Sequence, residues 1–283
     1  MIYELKYLSD NGTVVNFGFA GGIVVEDLDD VTSQNVQISA TAGTDNVGTR
    51  IETQTVQPKK ISLQGVIKGR AAEKRALLLR AFAPRVGGTL IYDNKYQLRV
   101  VPTKTPVIEK YEENPSFNLT LYAAYPYWRS VSETSESLLS VTKEFRFPWN
   151  ISEPYRFGSF SDRMYVNVTN MGNVPARWTL QLRANADLTN PVIQNMKTLQ
   201  LVRVLKTMEA GEQLVIDFTG QELTVTGTRP DGSTFDAFEY LDIDSEPFEL
   251  AVGDNLIRID AGNRNALVAT LSFYHTVSGV WLL

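Results

Sequence analysis

The chain has 283 residues, enough for one large or two medium domains. Hydrophobic residues are 43% and charged residues 21%, the balance of an ordinary packed protein, and a net charge of −5 argues against a basic nucleic-acid-gripping surface. The absence of cysteine and the single histidine, His275, exclude disulfides, thiolate nucleophiles, cysteine-ligated zinc and multi-histidine metal centres.

The opening segment, MIYELKYLSDNG, is too polar and too alternating for a secretory leader, and no apolar run approaches the roughly 20 residues of a membrane span. This predicts a chain made in the cytosol, with no membrane partner. Ile2, Leu5, Tyr7 and Leu8, then Asp10-Asn11-Gly12, then Val14, Val15 and Phe17 predict a hairpin, because Asn and Gly both tolerate the positive φ of its turn. The acidic run Glu26, Asp27, Asp29 and Asp30 lacks the glycine and terminal glutamate of a calcium loop, so it reads as a solvated strand end or turn. Residues 34–69 predict two or three strands, with Ile61, Leu63, Gly65 and Ile67 on one half-buried face.

The period then changes from 2 to 3.6. AAEKRALLLRAF is rich in strong helix formers, with Leu77/Ala81 and Leu78/Phe82 four apart, and Pro84 should stop the helix near Ala83. Arg70, Lys74, Arg75 and Arg80 make this helix basic in an acidic chain: either a solvated helix face or a docking face for an acidic neighbour, which makes the four candidates for the ring interface. TLIYDNKYQLRVVP predicts a second hairpin around Asp93-Asn94, and Phe117, Leu119, Leu121 and Ala123 alternate along a further strand. Tyr122, Tyr125, Tyr127 and Trp128 then cluster. Aromatic anchors of this kind favour domain or subunit packing, with a sugar-stacking platform as the other reading.

The serine-rich stretch that follows reads as a linker, giving an expected organisation of 1–132, a linker at 133–139, and 140–283. Short strand-like runs punctuated by Gly, Asn, Asp and Pro fill the second half, as in a β-sandwich. In ARWTLQLRA, Ala176, Trp178, Leu180 and Leu182 should face the core, and Arg177, Thr179, Gln181 and Arg183 the solvent. The DLTNP that follows reads as a turn of ordinary Asx chemistry, with Asp187, Thr189 and Asn190. Pro230-Asp231-Gly232 should turn a polar hairpin.

Catalytic signatures are missing: there is no GxGxxG, Walker or GxSxG motif. Glu239, Asp242, Asp244 and Glu246 in FEYLDIDSEPF are the best local set for carboxylate-pair chemistry. Ordinary strand alternation, with Leu241 and Ile243 facing the core, explains them without catalysis. His275 reads as a strand residue. No catalytic residue, cofactor or metal is therefore expected.

The order of GFAGGIVVEDLDD, ISLQGVIKG, the basic helix, GGTLIYDNKYQLRV, YAAYPYW, NMGNVPARWTLQLRA, EPFELAVGDNLIRID and VSGVWLL resembles the distal tail protein (Dit) family of siphophages and prophages of Gram-positive bacteria. The resemblance implies a mainly β chain with one helix in its first half. The N-terminal β domain would form a hexameric ring, and the C-terminal domain would be a galectin-like β-sandwich. It further implies a structural hub at the tail tip of the virion, synthesised in the host cytoplasm. Such a hub joins the tail tube protein to a tail-associated fibre or lysin protein, with a receptor-binding protein as a further partner. The alternative function is a carbohydrate-binding module for a host surface polysaccharide, motivated by Trp178, Trp281 and the polar loops.

Overall fold

The computed structural model describes residues 4–42, 47–110, 113–139, 141–143, 158–160, 165–220 and 222–280. Two compact units divide the chain: residues 1–132 together with 276–283, and residues 133–275. The first contains β1 (Leu5–Ser9), β2 (Val14–Phe17), β3 (Ile23–Asp29), β4 (Val36–Ala42), β5 (Thr49–Val56), β6 (Lys59–Ile67) and α1 (Ala71–Ala81). It continues with β7 (Gly88–Tyr92), β8 (Tyr96–Pro102), β9 (Val107–Ile108), β10 (Ser116–Ala123) and β11 (Trp128–Ser130). The second contains β12 (Thr134–Leu139), β13 (Val141–Lys143), β14 (Gly158–Phe160), β15 (Tyr165–Asn170), β16 (Trp178–Ala184), β17 (Leu188–Asn195), β18 (Leu201–Arg203) and β19 (Thr207–Met208). It is completed by β20 (Gln213–Asp217), β21 (Thr224–Thr228), β22 (Thr234–Asp236), β23 (Gly253–Gly262) and β24 (Leu267–Phe273), after which β25 (Thr276–Val277) returns to the first unit.

The first unit is an antiparallel sheet in the order β2-β1-β7-β8-β10-β6-β3. Its two ends meet at one bridge, where Gly18 N–H donates to Ile23 O at 2.7 Å, so the sheet curls around its core. That core includes Tyr7, Phe17, Ile61, Leu63, Leu78, Phe82, Leu119 and Trp128. The alternation along β6 is that of a half-buried strand, as expected: Ile61, Leu63, Gly65 and Ile67 are buried on one face, while Lys60 and Gln64 are exposed on the other. Gly65 in that run is required by a bulge in β3 between Val25 and Asp27. A Cβ at Gly65 would stand 1.9 Å from Val24 O.

The helix spans Ala71–Ala81, the only α-helix among the described residues, and buries Leu78 and Ala81. Its C-terminal carbonyls find partners in the first hairpin. Ser9 Oγ donates to Ala81 O and Asn11 Nδ2 to Arg80 O, both at 2.8 Å, satisfying groups the helix leaves without an internal partner. Phe82 then stacks on Tyr7 with ring centroids 4.2 Å apart. Asp93 and Asn94, with φ of 48° and 49°, are the central residues of a turn closed by Lys95 N–H donating to Tyr92 O at 3.0 Å, within the three-residue connection of the second hairpin.

The second unit is a β-sandwich. One sheet runs β12-β24-β16-β20-β21-β22, and the other β15-β23-β17-β18 with β19 beside β17. Ala176, Trp178, Leu180 and Leu182 are all buried in its core, while Gln181 and Arg183 are exposed and Arg177 and Thr179 half-buried.

Four expectations are corrected. The stretch 133–139 is not a linker: Thr134–Leu139 pairs with β24 as an edge of the sandwich. A serine-rich composition suits an edge strand that hydrogen-bonds through its backbone. The second half is not a continuous domain to residue 283, because β25 pairs with β11 and Val280 is buried in the first core. DLTNP is not a turn: Leu188 opens β17, and Asn190 (φ 50°) sits in a bulge between Thr189 and Val192. FEYLDIDSEPF is not a strand either. Phe238–Tyr240 is a 3-10 turn, and Ile243, expected in the core, is 96% exposed. The end of VSGVWLL, residues 281–283, lies outside the described residues.

Candidate assembly surface

Alternation in VQISATA and TRIETQTV makes two strands, but neither face of the resulting hairpin finds a core. β4 and β5 form a separate two-stranded sheet in which every strand residue is exposed. The register pairs Val36 with Val56, Ile38 with Gln54 and Ala40 with Ile51 across a bulge, so Val36, Ile38, Ala40, Ile51 and Val56 share one face. Gln37, Ser39, Thr41, Arg50, Thr53 and Thr55 share the other. Side-chain exposure of Ile38 at 56% and Ile51 at 51% marks an amphipathic ribbon with its apolar face uncovered. At roughly 3.3 Å per residue the ribbon extends about 25 Å. A lone two-stranded hairpin is marginal in water, so the apolar face needs a covering surface. Its root is held by Gln57 N–H to Asn35 O at 2.8 Å and by Gln34 Nε2 to Gln57 O at 3.0 Å.

The sequence reading missed this arm. Alternation reports that a strand has two unlike faces, not whether the apolar one is covered within its own chain.

The four cations predicted as a docking face divide into two pairs. Lys74 Nζ donates to Lys68 O, and Arg75 donates to the carbonyls of Glu109 and Lys110, so both fasten the helix to adjacent loops. Arg70 and Arg80 are exposed, with Arg70 3.7 Å from Glu73 in a surface pair. Leu79, 48% exposed, is an uncovered apolar side chain in the last turn, next to Arg80 in sequence.

The aromatic cluster also divides. Trp128 is fully buried in the first core, edge-on to Tyr92 at 6.3 Å, and is therefore a core residue rather than a subunit anchor. Tyr125 and Tyr127 are half-buried and meet edge to face at 5.3 Å, with the Arg129 guanidinium 5.0 Å from the Tyr125 ring. Trp178 is also fully buried and donates its Nε1–H to Phe248 O at 2.7 Å, which removes it as a sugar-stacking surface. Trp281 lies outside the described residues.

Electrostatics follow from local partners. Arg99 makes a two-pronged contact with Asp10, whose carboxyl is held below the usual carboxylate range by those hydrogen bonds and the guanidinium charge. Burial, aided by the nearby Asp10 charge, pushes the Tyr7 hydroxyl up to about 12. Burial lowers the Lys59 ammonium from its ordinary value; its Nζ donates to Ser278 O at 3.2 Å. In the second unit Asp242 is paired with Arg203 at 3.1 Å and also accepts from Asp244 N–H, so it holds a loop in place.

His275 follows β24 rather than lying within it. Its Nδ1 accepts from Met171 N–H at 3.2 Å, which leaves Nε2 to donate to Thr134 Oγ1 at 3.1 Å. The acidic run Glu26–Asp30 ends β3, and Asp30 (φ 66°) accepts from Ser33 Oγ in a local turn. Among the described residues no group of three His, Cys, Asp or Glu side chains could hold a metal, and no helix is long and apolar enough to cross a membrane.

These surfaces can be set beside known proteins. Residues 171–275 match the family model of the siphovirus-type tail component, C-terminal domain. No curated protein matches the chain. The crystal structure of the Dit (gp 19.1) protein of phage SPP1, described as a paradigm of the hub adsorption apparatus in phages infecting Gram-positive bacteria, is similar with a TM-score of 0.67. Identity there is 10%, over 96% of this chain and 98% of that one. A chain of the phage P2 baseplate in its activated conformation with Ca gives 0.58 at 12% identity, over 99% of this chain and 100% of that one. The corresponding baseplate with Sr gives 0.55 at 12% identity, over 99% of each. A curled N-terminal sheet with one helix, followed by a β-sandwich whose residues 171–275 fit that model, thus identifies the chain as carrying the C-terminal domain of siphovirus-type tail components and, along its length, the fold of the distal tail protein.

Proposed function

We propose that this protein is a structural hub of a phage tail tip and works by assembly rather than catalysis. Copies of the chain close into a ring, a hexamer in the family reading. The ring joins the tail tube protein to a tail-associated fibre or lysin protein, with a receptor-binding protein as a further partner, and resides in the virion. The observation that carries this reading is the β4–β5 arm, whose apolar face has no cover in its own chain. A heterologous contact repeated around an axis buries such a face on every copy and leaves none free to aggregate. The exposed Arg70, Leu79 and Arg80 of the helix are a second contact surface on the same unit. The similar solved structures, a hub adsorption apparatus protein and a baseplate chain, support the same reading.

Light scattering and negative-stain microscopy of the full chain test this. The wild type should form a closed ring, alone or with its tube protein. Ile38→Asp with Ile51→Asp should leave a folded monomer whose two cores stay protected from hydrogen exchange. A strict monomer at every concentration, also in the presence of the tube protein, would falsify the hub. A double variant that still forms rings would remove the arm from the interface.

A further inference from the structure

Residues 236–249, DAFEYLDIDSEPFE, carry six carboxylates and no lysine or arginine. Two of these are neutralised locally, Asp242 by Arg203 and Glu249 by Arg177. Asp236, Glu239, Asp244 and Glu246 are exposed, and none has an ion-pair partner among the described residues. Two apolar side chains stand between them in the sequence and are also uncovered: Phe238 at 49% and Ile243 at 96% exposure. Strand alternation, which would have turned Ile243 inward, is absent here because the segment makes a 3-10 turn and loop.

The same segment borders a groove of about 860 Å³ in the second unit. Leu223, Phe235, Phe238 and Leu241 contribute its apolar lining, and among the described lining residues Glu222 and Asp236 are the charged ones; Arg229 and Lys206 lie against the Phe235 ring, 4.5 and 5.5 Å from its centroid. The groove includes β22, the last strand of its sheet, so one side of that strand has no neighbouring strand among the described residues.

We propose that this groove and its acidic border are the docking site for an extended, basic segment of another protein with interleaved apolar side chains. Three independent features select that occupant. Unneutralised like charges on one short segment repel each other, and a cationic partner converts the repulsion into attraction. The apolar lining and the exposed Phe238 and Ile243 accept side chains that lysine or arginine alone would not fill. The open side of β22 offers backbone hydrogen bonds to an extended chain. Anionic polymers, nucleic acid and acidic lipid surfaces are disfavoured by the same carboxylates. A saccharide would have to leave most of this lining without polar contact. The site lies wholly in the second unit, so its test does not depend on whether the chain forms a ring.

The test uses the full-length protein and a fluorescent ten-residue peptide of alternating lysine and valine, with a glutamate-for-lysine peptide as control. Fluorescence anisotropy should show binding of the basic peptide only, weakening at least tenfold between 50 and 500 mM salt, about as expected for exposed charges. The neutralised variant Asp236→Asn, Glu239→Gln, Asp244→Asn, Glu246→Gln should bind at least tenfold more weakly. Ile243→Ser, at a position too exposed to affect folding, should weaken binding severalfold. Hydrogen exchange should slow in β22 when the peptide binds. Equal binding by the neutralised variant, equal binding of the acidic peptide, or no binding of either peptide overturns the proposal. Protection confined to other strands overturns it too, as does displacement of the basic peptide by a neutral chitooligosaccharide, which would reassign the groove to a sugar.

Discussion

At the scale of single residues, Tyr7 shows how a core tolerates one unmet polar atom. Its ring is fully buried and stacked on Phe82, and no hydrogen bond of normal geometry reaches its hydroxyl. Removing that oxygen should cost little, since a buried group without a partner contributes nothing by being polar. Tyr7→Phe is therefore expected to lie within about 1 kcal/mol of wild type at pH 7 in urea melts. The pH dependence differs. Burial raises the folded-state pKa of Tyr7 from its ordinary 10.0 to about 12, so the unfolded chain releases the proton first. Stability linked to Tyr7 is fully present below pH 10 and is lost as pH rises toward 12, with a limiting slope of about 1.4 kcal/mol per pH unit. Tyr7→Phe should flatten this alkaline loss. An alkaline limb identical to wild type would show that the hydroxyl is not held protonated by burial.

Elements hold one another through groups that periodicity does not report. The helix formers and four-apart apolar pairs of AAEKRALLLRAF were enough to place the helix, but not its finishing partners. Those are Ser9 and Asn11, 72 and 69 positions away from the carbonyls they bind. Each side chain satisfies a carbonyl that the last helical turn leaves open. Ser9→Ala and Asn11→Ala should each destabilise the first unit by about 1 kcal/mol, with the larger effect at buried Ser9 because its lost partner is shielded from water. Chemical denaturation checks this, and a combined loss near the sum of the two single losses is expected if they act separately. No loss for either would mean that water replaces both donors. The arm represents the opposite case: its strands were legible, but its isolation was not, because an apolar stripe looks the same whether covered by its own chain or by another.

At the scale of the whole molecule, two cores divide a chain whose ends belong to one of them. The return segment closes the first unit in several ways. β25 pairs with β11, Val280 N–H donates to Val31 O at 3.1 Å, and Val280 is 1% exposed. Gly279 lies so close to Thr32 that a Cβ would stand 2.3 Å from its carbonyl oxygen. The first unit is thus incomplete until residues beyond the sandwich have been synthesised. Val280→Ala should destabilise the first unit by roughly 2 kcal/mol, and Leu180→Ala the second by roughly 3 kcal/mol. Thermal unfolding followed by hydrogen exchange would separate them, each variant raising exchange in its own core. A Val280→Ala variant that loosens only the sandwich would contradict this assignment.

Much of the architecture was readable from local patterns. Alternation placed Ala176, Trp178, Leu180 and Leu182 in the core, and Asp-Asn and Asn-Gly placed the hairpins, because both signals depend on backbone geometry within a few residues. The failures share a different cause. Thr134–Leu139 looked like a linker and FEYLDIDSEPF like a strand, since edge pairing and loop packing depend on partners far away in sequence. The candidate cations Arg70, Lys74, Arg75 and Arg80 were legible as charges, while the carbonyls that hold Lys74 and Arg75 were not.

Composition and the order of motifs by themselves determined the mainly β class, the helix of the first half and the resemblance to a tail hub, and they excluded cysteine and multi-histidine chemistry. Only tertiary structure decided that the serine-rich stretch is an edge strand, that the chain's last described strand completes its first unit, and that Trp128 and Trp178 are core. It also decided which apolar faces stay uncovered: the arm and the border of the sandwich groove. The physical reason is that a residue's type sets what it needs, whereas burial and pairing are properties of distant segments brought together.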